Sequence, residues 1–195
     1  MTPVTLASKS VARTQVLAAA GVTFEAVGTG VDEAAVKDEL LARGARPRDI
    51  AQALAEEKAL AVARPGLVIG ADQTLDLDGR LFDKAETMEE ARARLLMLRG
   101  KTHKLHSAVA VARDGQVIWR ETPAATLTMR SFSDAFLDGF LARHGEGLLG
   151  SVGCYRLEDE GAQLFDAIDG DYFTILGLPL MGLLDLLRRE GALGA

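Results

Sequence analysis

In the stretch LVIGADQTLDLDGRLFDK, from Leu67 to Lys84, an apolar run gives way to a carboxylate, Asp72, then to an amide, Gln73, and closes on a lysine, Lys84. An acid at the carboxyl end of a buried strand stands where α/β sheets collect their ligands. There it can bind a divalent cation or accept a proton as a general base. No turn chemistry demands Gly-Ala-Asp-Gln at this point. The Asp78-Gly79 pair beyond it signals a two-residue hairpin, which returns Asp83 and Lys84 toward the same mouth. LASKSVAR offers a second locus, where a strand runs out into Ser8, Lys9 and Ser10 and a helix starts with Arg13 in its first turn. Free N–H groups at a helix start attract anions, phosphate among them, and hydroxyls and a guanidinium add hydrogen bonds. Taken alone, the stretch reads first as Ser10 capping the helix with Lys9 and Arg13 in water, because strand–Ser–helix junctions are common. Asp32 and Glu33 read first as helix caps and second as metal ligands. Lys58 sits one step of four beyond Leu54, at the edge of an apolar stripe formed with Ile50 and Ala61. The spacing predicts a snorkelling lysine, with reach into a cleft as the alternative.

The elements that would hold these groups alternate. VTLA (Val4–Ala7) reads as a strand, Ser10 as the cap of a helix through Ala20, and Gly21 as its stop. VTFEAV is a second strand, Pro47 and Asp49 open an alanine-rich helix through Ala63, and LVIGA is a short strand apolar on both faces. Thr87 with Glu90 forms a capping box for a helix ending near Leu98. A meander of strands follows, turning at Asp114-Gly115. A helix over Ser133–His144, a strand at AQLF and a last helix opening at Pro179 complete the chain. Hairpins and strand–helix crossovers together predict an α/β fold with a mixed central sheet, in one domain over residues 1–195.

Composition narrows the function. A net charge of −6 argues against a protein that coats a nucleic-acid polymer, yet leaves room for a small anion held by a few convergent cations. The single cysteine, Cys154, excludes an internal disulfide and reads as a small apolar filler. His103, His106 and His144 lack metal-ligand spacing and read as structural or solvent-facing. GEGLLGSVG lacks the lysine of a phosphate loop and reads as a mobile wall. Without a signal peptide or an apolar run of membrane-spanning length, the expectation is a cytoplasmic protein with no membrane partner.

LASKSVAR, VDE, AEEKA, GADQ, DK, LRGKTHKLHSAVAV and IDGDYFTILGLPL together resemble, in order and spacing, the motifs of the Maf family of nucleoside triphosphate pyrophosphatases. The resemblance implies two lobes around a cleft, related to inosine triphosphatase-like enzymes. It also implies hydrolysis of a nucleoside triphosphate to the monophosphate and pyrophosphate with Mg²⁺ or Mn²⁺. Asp72 falls on the family's proton-acceptor position, Ser8, Ser10, Arg13, Lys58 and Lys84 on its phosphate-handling positions, and Glu33 with Asp72 near the metal. Gln73 in GADQ and Glu158 in GCYRLE resemble the branch acting on 7-methyl-GTP rather than the dTTP/UTP branch. A carboxylate suits the positive charge and the N–H donors of 7-methylguanine. Val11 and Ala12 depart from the family's Ser-Pro-x-Arg, and Ala12 replaces a residue linked to specificity. The resemblance admits a homodimer, for which the residues supply no interface. The alternatives are a dTTP/UTP pyrophosphatase, a nucleotide-binding regulator of cell division or septum formation, and a phosphohydrolase of sugar phosphates.

Overall fold

The computed structural model describes residues 1–194. Among them runs a mixed sheet whose centre is the pair β3 (Leu67–Leu77) and β5 (Thr102–Arg113), antiparallel from Val68↔Ala112 to Asp76↔Lys104. On one side of β3 lies β1 (Val4–Ala7), parallel to it and to β2 (Glu25–Val27) beyond. On the far side of β5 come β7 (Ala124–Met129) and β8 (Phe165–Asp169), giving the order β2-β1-β3-β5-β7-β8. Two short partners flank this path: β4 (Arg80–Phe82) on β3 and β6 (Gln116–Glu121) on β5. The helices are α1 (Val11–Ala19), α2 (Glu33–Ala42), α3 (Pro47–Leu60), α4 (Met88–Leu98), α5 (Asp134–His144), α6 (Tyr172–Ile175) and α7 (Met181–Arg189). The α/β class and the mixed sheet are as the sequence predicts.

Several local signals act as expected. Ser10, Thr87 and Ser133 each accept from the backbone N–H three residues on, so each hydroxyl satisfies a donor that the first helical turn leaves open. Asp78 and Asp114 take positive φ at the two hairpin turns, the conformation that lets a tight turn match the twist of its strands. Other boundaries move. The second strand keeps only Glu25–Val27. AQLF falls mostly in a 3₁₀ turn, and the strand begins at Phe165. The last helix starts at Met181 rather than Pro179, and the one-turn α6 lies ahead of it. Ala61 ends α3 as an exposed cap instead of extending its buried stripe.

The largest correction concerns β3. LVIGA and TLDL are one strand, and Asp72 lies in its middle rather than at its end. Pairing with β5 carries the strand straight through the polar dipeptide, because backbone hydrogen bonding is indifferent to which side chains project. The opposite edge of β3 is shared. β1 covers Leu67–Gly70 and β4 covers Leu75–Leu77, so among the described residues Ala71–Thr74 has no strand beside it on that edge. The cleft opens at this gap.

Two apolar cores meet along the same two strands. Leu6, Leu17, Ile69, Val111, Leu183 and Leu187 belong to one. Leu75, Leu95, Leu127, Phe140, Leu148 and Leu164 belong to the other. Cys154 fills space in the second, and burial pushes its thiol up. His103 is also buried there, its Nε2 2.7 Å from the Tyr155 hydroxyl and its Nδ1 without a partner among the described residues.

Burial lowers the His103 pKa to about 4. A folded value below the unfolded one of about 6.5 means that the unfolded chain binds the proton more readily. The neutral ring's contribution is therefore intact above pH 6.5 and lost as pH falls toward 4. We expect His103→Leu to flatten the decline of urea-unfolding stability between pH 6.5 and 4.5 by up to about 1.4 kcal/mol per pH unit. Parallel slopes for the two proteins would contradict the assignment.

Candidate active site

The site begins with an unusually close packing of α3 against the sheet. Ala51, Ala55 and Ala59 face Ala108, Ala110 and Ala112 of β5, and small side chains on both surfaces let the backbones approach. At Gly70 the approach is closest. A Cβ there would lie 2.1 Å from the Ala55 carbonyl oxygen and 2.5 Å from the Ala59 nitrogen, both backbone atoms. Lys58, between these alanines, is carried down to the sheet and is only 5% exposed. Its ammonium lies 2.7 Å from Asp72 Oδ1 and 3.0 Å from Glu33 Oε1. The predicted snorkelling does not occur. A buried ammonium survives because two carboxylates accept from it, and removing either would leave charge poorly compensated.

Glu33 reaches the site from the first turn of α2, which Asp32 caps by accepting from Ala35 N–H at 3.0 Å. Among the described residues α2 buries no side chain, so ion pairs dock it. Glu33 reaches Lys58, and Lys37 pairs with Asp83. Burial disfavours the Lys37 charge, but the hydrogen bond and charge of Asp83, with the charges of Asp72 and Glu33, together outweigh it and hold the ammonium above its usual range. Asp83 is thus turned to α2 and largely exposed. Of the pair expected to return to the mouth, only Lys84 lines the cleft.

Across the gap, Arg13 is held by its own loop and by the turn after α6. Its Nε donates to the Gly177 carbonyl at 2.9 Å and a terminal nitrogen to Ser8 Oγ at 3.4 Å. Ser10 accepts from Arg13 N–H, and Ser8 accepts from Ser10 N–H. Burial lowers the Arg13 pKa, opposed by the nearby charges of Asp72 and Glu33, and a guanidinium keeps its proton in such surroundings. Lys84 is also pushed down, first by burial and then by Arg13, with Glu33 and Asp72 opposing. The two cations therefore crowd one space.

Gln73 serves a different purpose from Asp72. Its amide nitrogen lies 3.1 Å and 3.0 Å from the carbonyls of Thr174 and Ile175 and 2.8 Å from Ser107 Oγ. Carbonyls only accept, and Ser107 already donates to Thr174 O at 2.6 Å. The nitrogen is therefore committed to the α6 turn, and the amide presents its oxygen to the cleft.

These groups line a single cavity of about 730 Å³, together with Ala12, Ser8, Ser10, Glu33 and Glu158. Glu158 pairs with Arg156 Nε at 3.1 Å. The glycine-rich stretch contributes Gly147, Gly150 and Gly153 as a wall, tied to α4 where Arg94 donates to Val152 O at 2.6 Å. The residues that the family resemblance placed in the site all line this cavity, whereas Asp32 and Asp83 do not. Lys9 and Arg156 line it as further cations. Arg156 sits in GCYRLE, where the sequence points to Glu158 instead, and the contact between Ser107 and Thr174 spans more than 60 residues of sequence. Among the described residues no group of three or more His, Cys, Asp or Glu side chains converges as a metal site.

The chain belongs to the Maf family: the family described as Maf-like protein matches residues 3–190. It is 68% identical over 195 residues to a nucleoside triphosphate pyrophosphatase of Caulobacter vibrioides, covering 99% of this chain and 98% of the relative. A nucleoside triphosphate pyrophosphatase of Paramagnetospirillum magneticum is 52% identical, over 96% of this chain and 98% of its own. A 7-methyl-GTP pyrophosphatase of Rhizobium meliloti is 49% identical, over 97% of each.

Since backbone rather than flexible side chain opposes a Cβ at Gly70, α3 must shift to admit one. We expect Gly70→Ala to lower stability by roughly 2 kcal/mol, as overpacking of a well-filled interior does. Urea unfolding reads this, and an unchanged midpoint would show that the helix is free to move.

Proposed function

We propose that the protein is a nucleoside triphosphate pyrophosphatase, hydrolysing a nucleoside triphosphate to the monophosphate and pyrophosphate. The observation that carries this reading is the convergence of Arg13, Lys58 and Lys84, from three separate segments, on one cavity with the buried carboxylate of Asp72. Its relatives' names agree with it. Cleavage between the α- and β-phosphates needs water delivered to phosphorus and negative charge neutralised on the departing pyrophosphate. The protein's contribution is positioning and electrostatics. Asp72 takes the proton of the attacking water. Arg13, Lys84 and Lys58 hold the phosphate oxygens, and the Ser8 and Ser10 hydroxyls and loop N–H groups add neutral donors. In the free protein Lys58 is occupied by Asp72 and Glu33, and an arriving triphosphate gives its ammonium a further anion to serve.

A divalent cation fits the donor set. Glu33 and Asp72 already meet around one positive charge, and Mg²⁺ commonly takes one or two carboxylates and completes its shell with phosphate and water. Mn²⁺ accepts the same oxygen ligands. When bound, such an ion would neutralise phosphate charge between these carboxylates and the substrate.

The preferred base is 7-methylguanine. Glu158 supplies a carboxylate in the cavity wall and Gln73 a carbonyl, both acceptors, which suit the N–H edge and positive charge of that base. The small Ala12 leaves room beside them. Further parts of the reading are a single domain with two lobes around the cleft, akin to the inosine triphosphatase-like enzymes, and a cytoplasmic house-cleaning role on modified nucleotides. The two apolar cores sharing β3 and β5 support the lobes, and among the described residues no helix is long and apolar enough to cross a membrane. A homodimer is admitted by family alone.

Asp72→Asn should reduce magnesium-dependent pyrophosphate release by about a thousandfold while circular dichroism stays native, in line with loss of a general base. Turnover at the native rate would sink the assignment. Glu158→Gln should raise KM for 7-methyl-GTP by about tenfold and for UTP far less, since a charged acceptor is lost only to the base that needs it. An equal effect on both nucleotides would defeat the base preference.

A further inference from the structure

Of the three cations read as holding phosphate, Arg13 rides on α1 and Lys58 on α3. Lys84 instead lies between β4 and α4, in a stretch with neither ladder nor helix bonds. Lys58 is also fixed by its two carboxylates, and Arg13 by Gly177 O and Ser8 Oγ. The Lys84 ammonium meets its charged neighbours through space alone, with no hydrogen bond to any of them. Whatever places it must act on the backbone to either side.

That backbone is held from one face of α4. Glu90 and Arg94 stand four residues apart, so they share a face of the helix. Beyond Lys84, Glu86 N–H donates to Glu90 Oε2 at 2.9 Å. Before Lys84, the Asp83 carbonyl accepts from a terminal nitrogen of Arg94 at 2.5 Å. The same nitrogen donates to the Val152 carbonyl at 2.6 Å, so one guanidinium joins the Lys84 segment to the glycine-rich wall of the cleft. A second thread runs alongside, because the Ala85 backbone gives the Cys154 sulfur a hydrogen bond. The wall closes on itself at this point: Ser151 Oγ donates to Tyr155 O at 2.8 Å and accepts from Tyr155 N–H at 3.1 Å. The guanidinium carbon of Arg94 lies 4.9 Å from the centre of the Phe82 ring, which is buried in the second core. The clamp is thereby referenced to the packed interior rather than to solvent.

We infer that Arg94, which does not itself line the cleft, is a positioning residue for the reaction: it fixes the Lys84 backbone against the wall so that the ammonium stands ready for phosphate. This rests on the pyrophosphatase reading and adds to it what holds the third cation in place. A lysine on an unheld loop would have to order both its backbone and its side chain as the polyanion binds, and a fixed backbone leaves only the side chain to order.

Titration calorimetry with inorganic tripolyphosphate and Mg²⁺ reads the phosphate end directly, with no base and no turnover. Arg94→Met keeps an apolar stem beside Phe82 and removes both carbonyl contacts. It should weaken tripolyphosphate binding about fivefold and raise KM for a nucleoside triphosphate by a similar factor. Lys84→Met should weaken tripolyphosphate about tenfold. In the double variant Arg94→Met should cost less than about a further twofold, because the cation that it places is gone and coupled residues are not additive. A purely structural loss would multiply with that of Lys84→Met instead. Arg80→Met removes the other cation over the Phe82 ring and neither carbonyl contact, so it should bind tripolyphosphate within about twofold of wild type. Should Arg94→Met fail to fold by circular dichroism, Arg94→Gln replaces it, since its shorter amide loses the same bridge. The inference is overturned if the two single effects multiply, if the Arg94 variant binds as wild type, or if Arg80→Met weakens binding as much. The expected pattern without pyrophosphate release from any nucleotide would leave the clamp on Lys84 standing and overturn the pyrophosphatase reading. A wild-type protein that does not bind tripolyphosphate overturns both.

Discussion

The contact on which the site depends is the approach of α3 to the sheet over Gly70 and the facing alanines. Glycine and alanine bury little apolar area each, so their use here is geometric: they bring a helix backbone against a strand backbone with almost no side chain between. A lysine on such a helix has its whole stem available for reach. Lys58 uses it to place an ammonium between an acid on β3 and an acid on α2. Without that charge, two carboxylates would face each other in a half-buried space, and α2 would lose one of the two ion pairs that dock it. The packing of small residues thus sets where the buried charges can meet.

The gap along the edge of β3 follows from a similar economy. A strand fully paired on both edges offers a ligand only its side chains. A strand whose neighbour changes from parallel β1 to antiparallel β4 leaves a stretch open between them, and Ala71–Thr74 is that stretch. Because successive residues project to opposite faces, Asp72 and Gln73 serve opposite walls: Asp72 meets α3, and Gln73 holds the last carbonyls of α6. Arg13 grips the same segment just beyond, through the Gly177 carbonyl, so the anion-binding loop and the Gln73 wall are registered to each other through neighbouring carbonyls of one stretch of chain. β3 and β5 also run through both apolar cores, so the walls of the cleft are referenced to the same pair of strands.

What was legible in the sequence was what local chemistry decides. Ser10, Thr87 and Ser133 cap because a hydroxyl three residues before an open N–H has little else to satisfy, and the two Asp-Gly pairs turn because positive φ is cheap there. What was not legible depends on partners distant in sequence. Asp72 looked like a strand end because the apolar run stops, and only pairing with β5 carries the strand through it. Lys58 looked solvated because its neighbours on α3 say nothing of Glu33 or of Asp72 fourteen residues later. Asp83 and Lys84 looked equivalent, and the difference was made by Lys37, on a helix with no buried face to announce it. The site residues themselves were named by resemblance. Read singly, the strand-borne Asp72 pointed to a ligand, whereas the motifs around Ser10, Glu33 and Lys58 were satisfied by caps or solvated charges.

A chain of net charge −6 that binds a polyanion needs its local field to oppose its global one, and the cleft does this by crowding cations. Crowding has a consequence for Lys84. Burial and the charge of Arg13 together make its proton easier to lose than that of a free lysine, while Glu33 and Asp72 only partly compensate. A triphosphate entering the cleft supplies negative charge beside Lys84 and so favours the protonated amine. By linkage, affinity for the polyanion and protonation of Lys84 must rise together, and alkaline pH weakens the phosphate end of the site before an ordinary lysine would titrate.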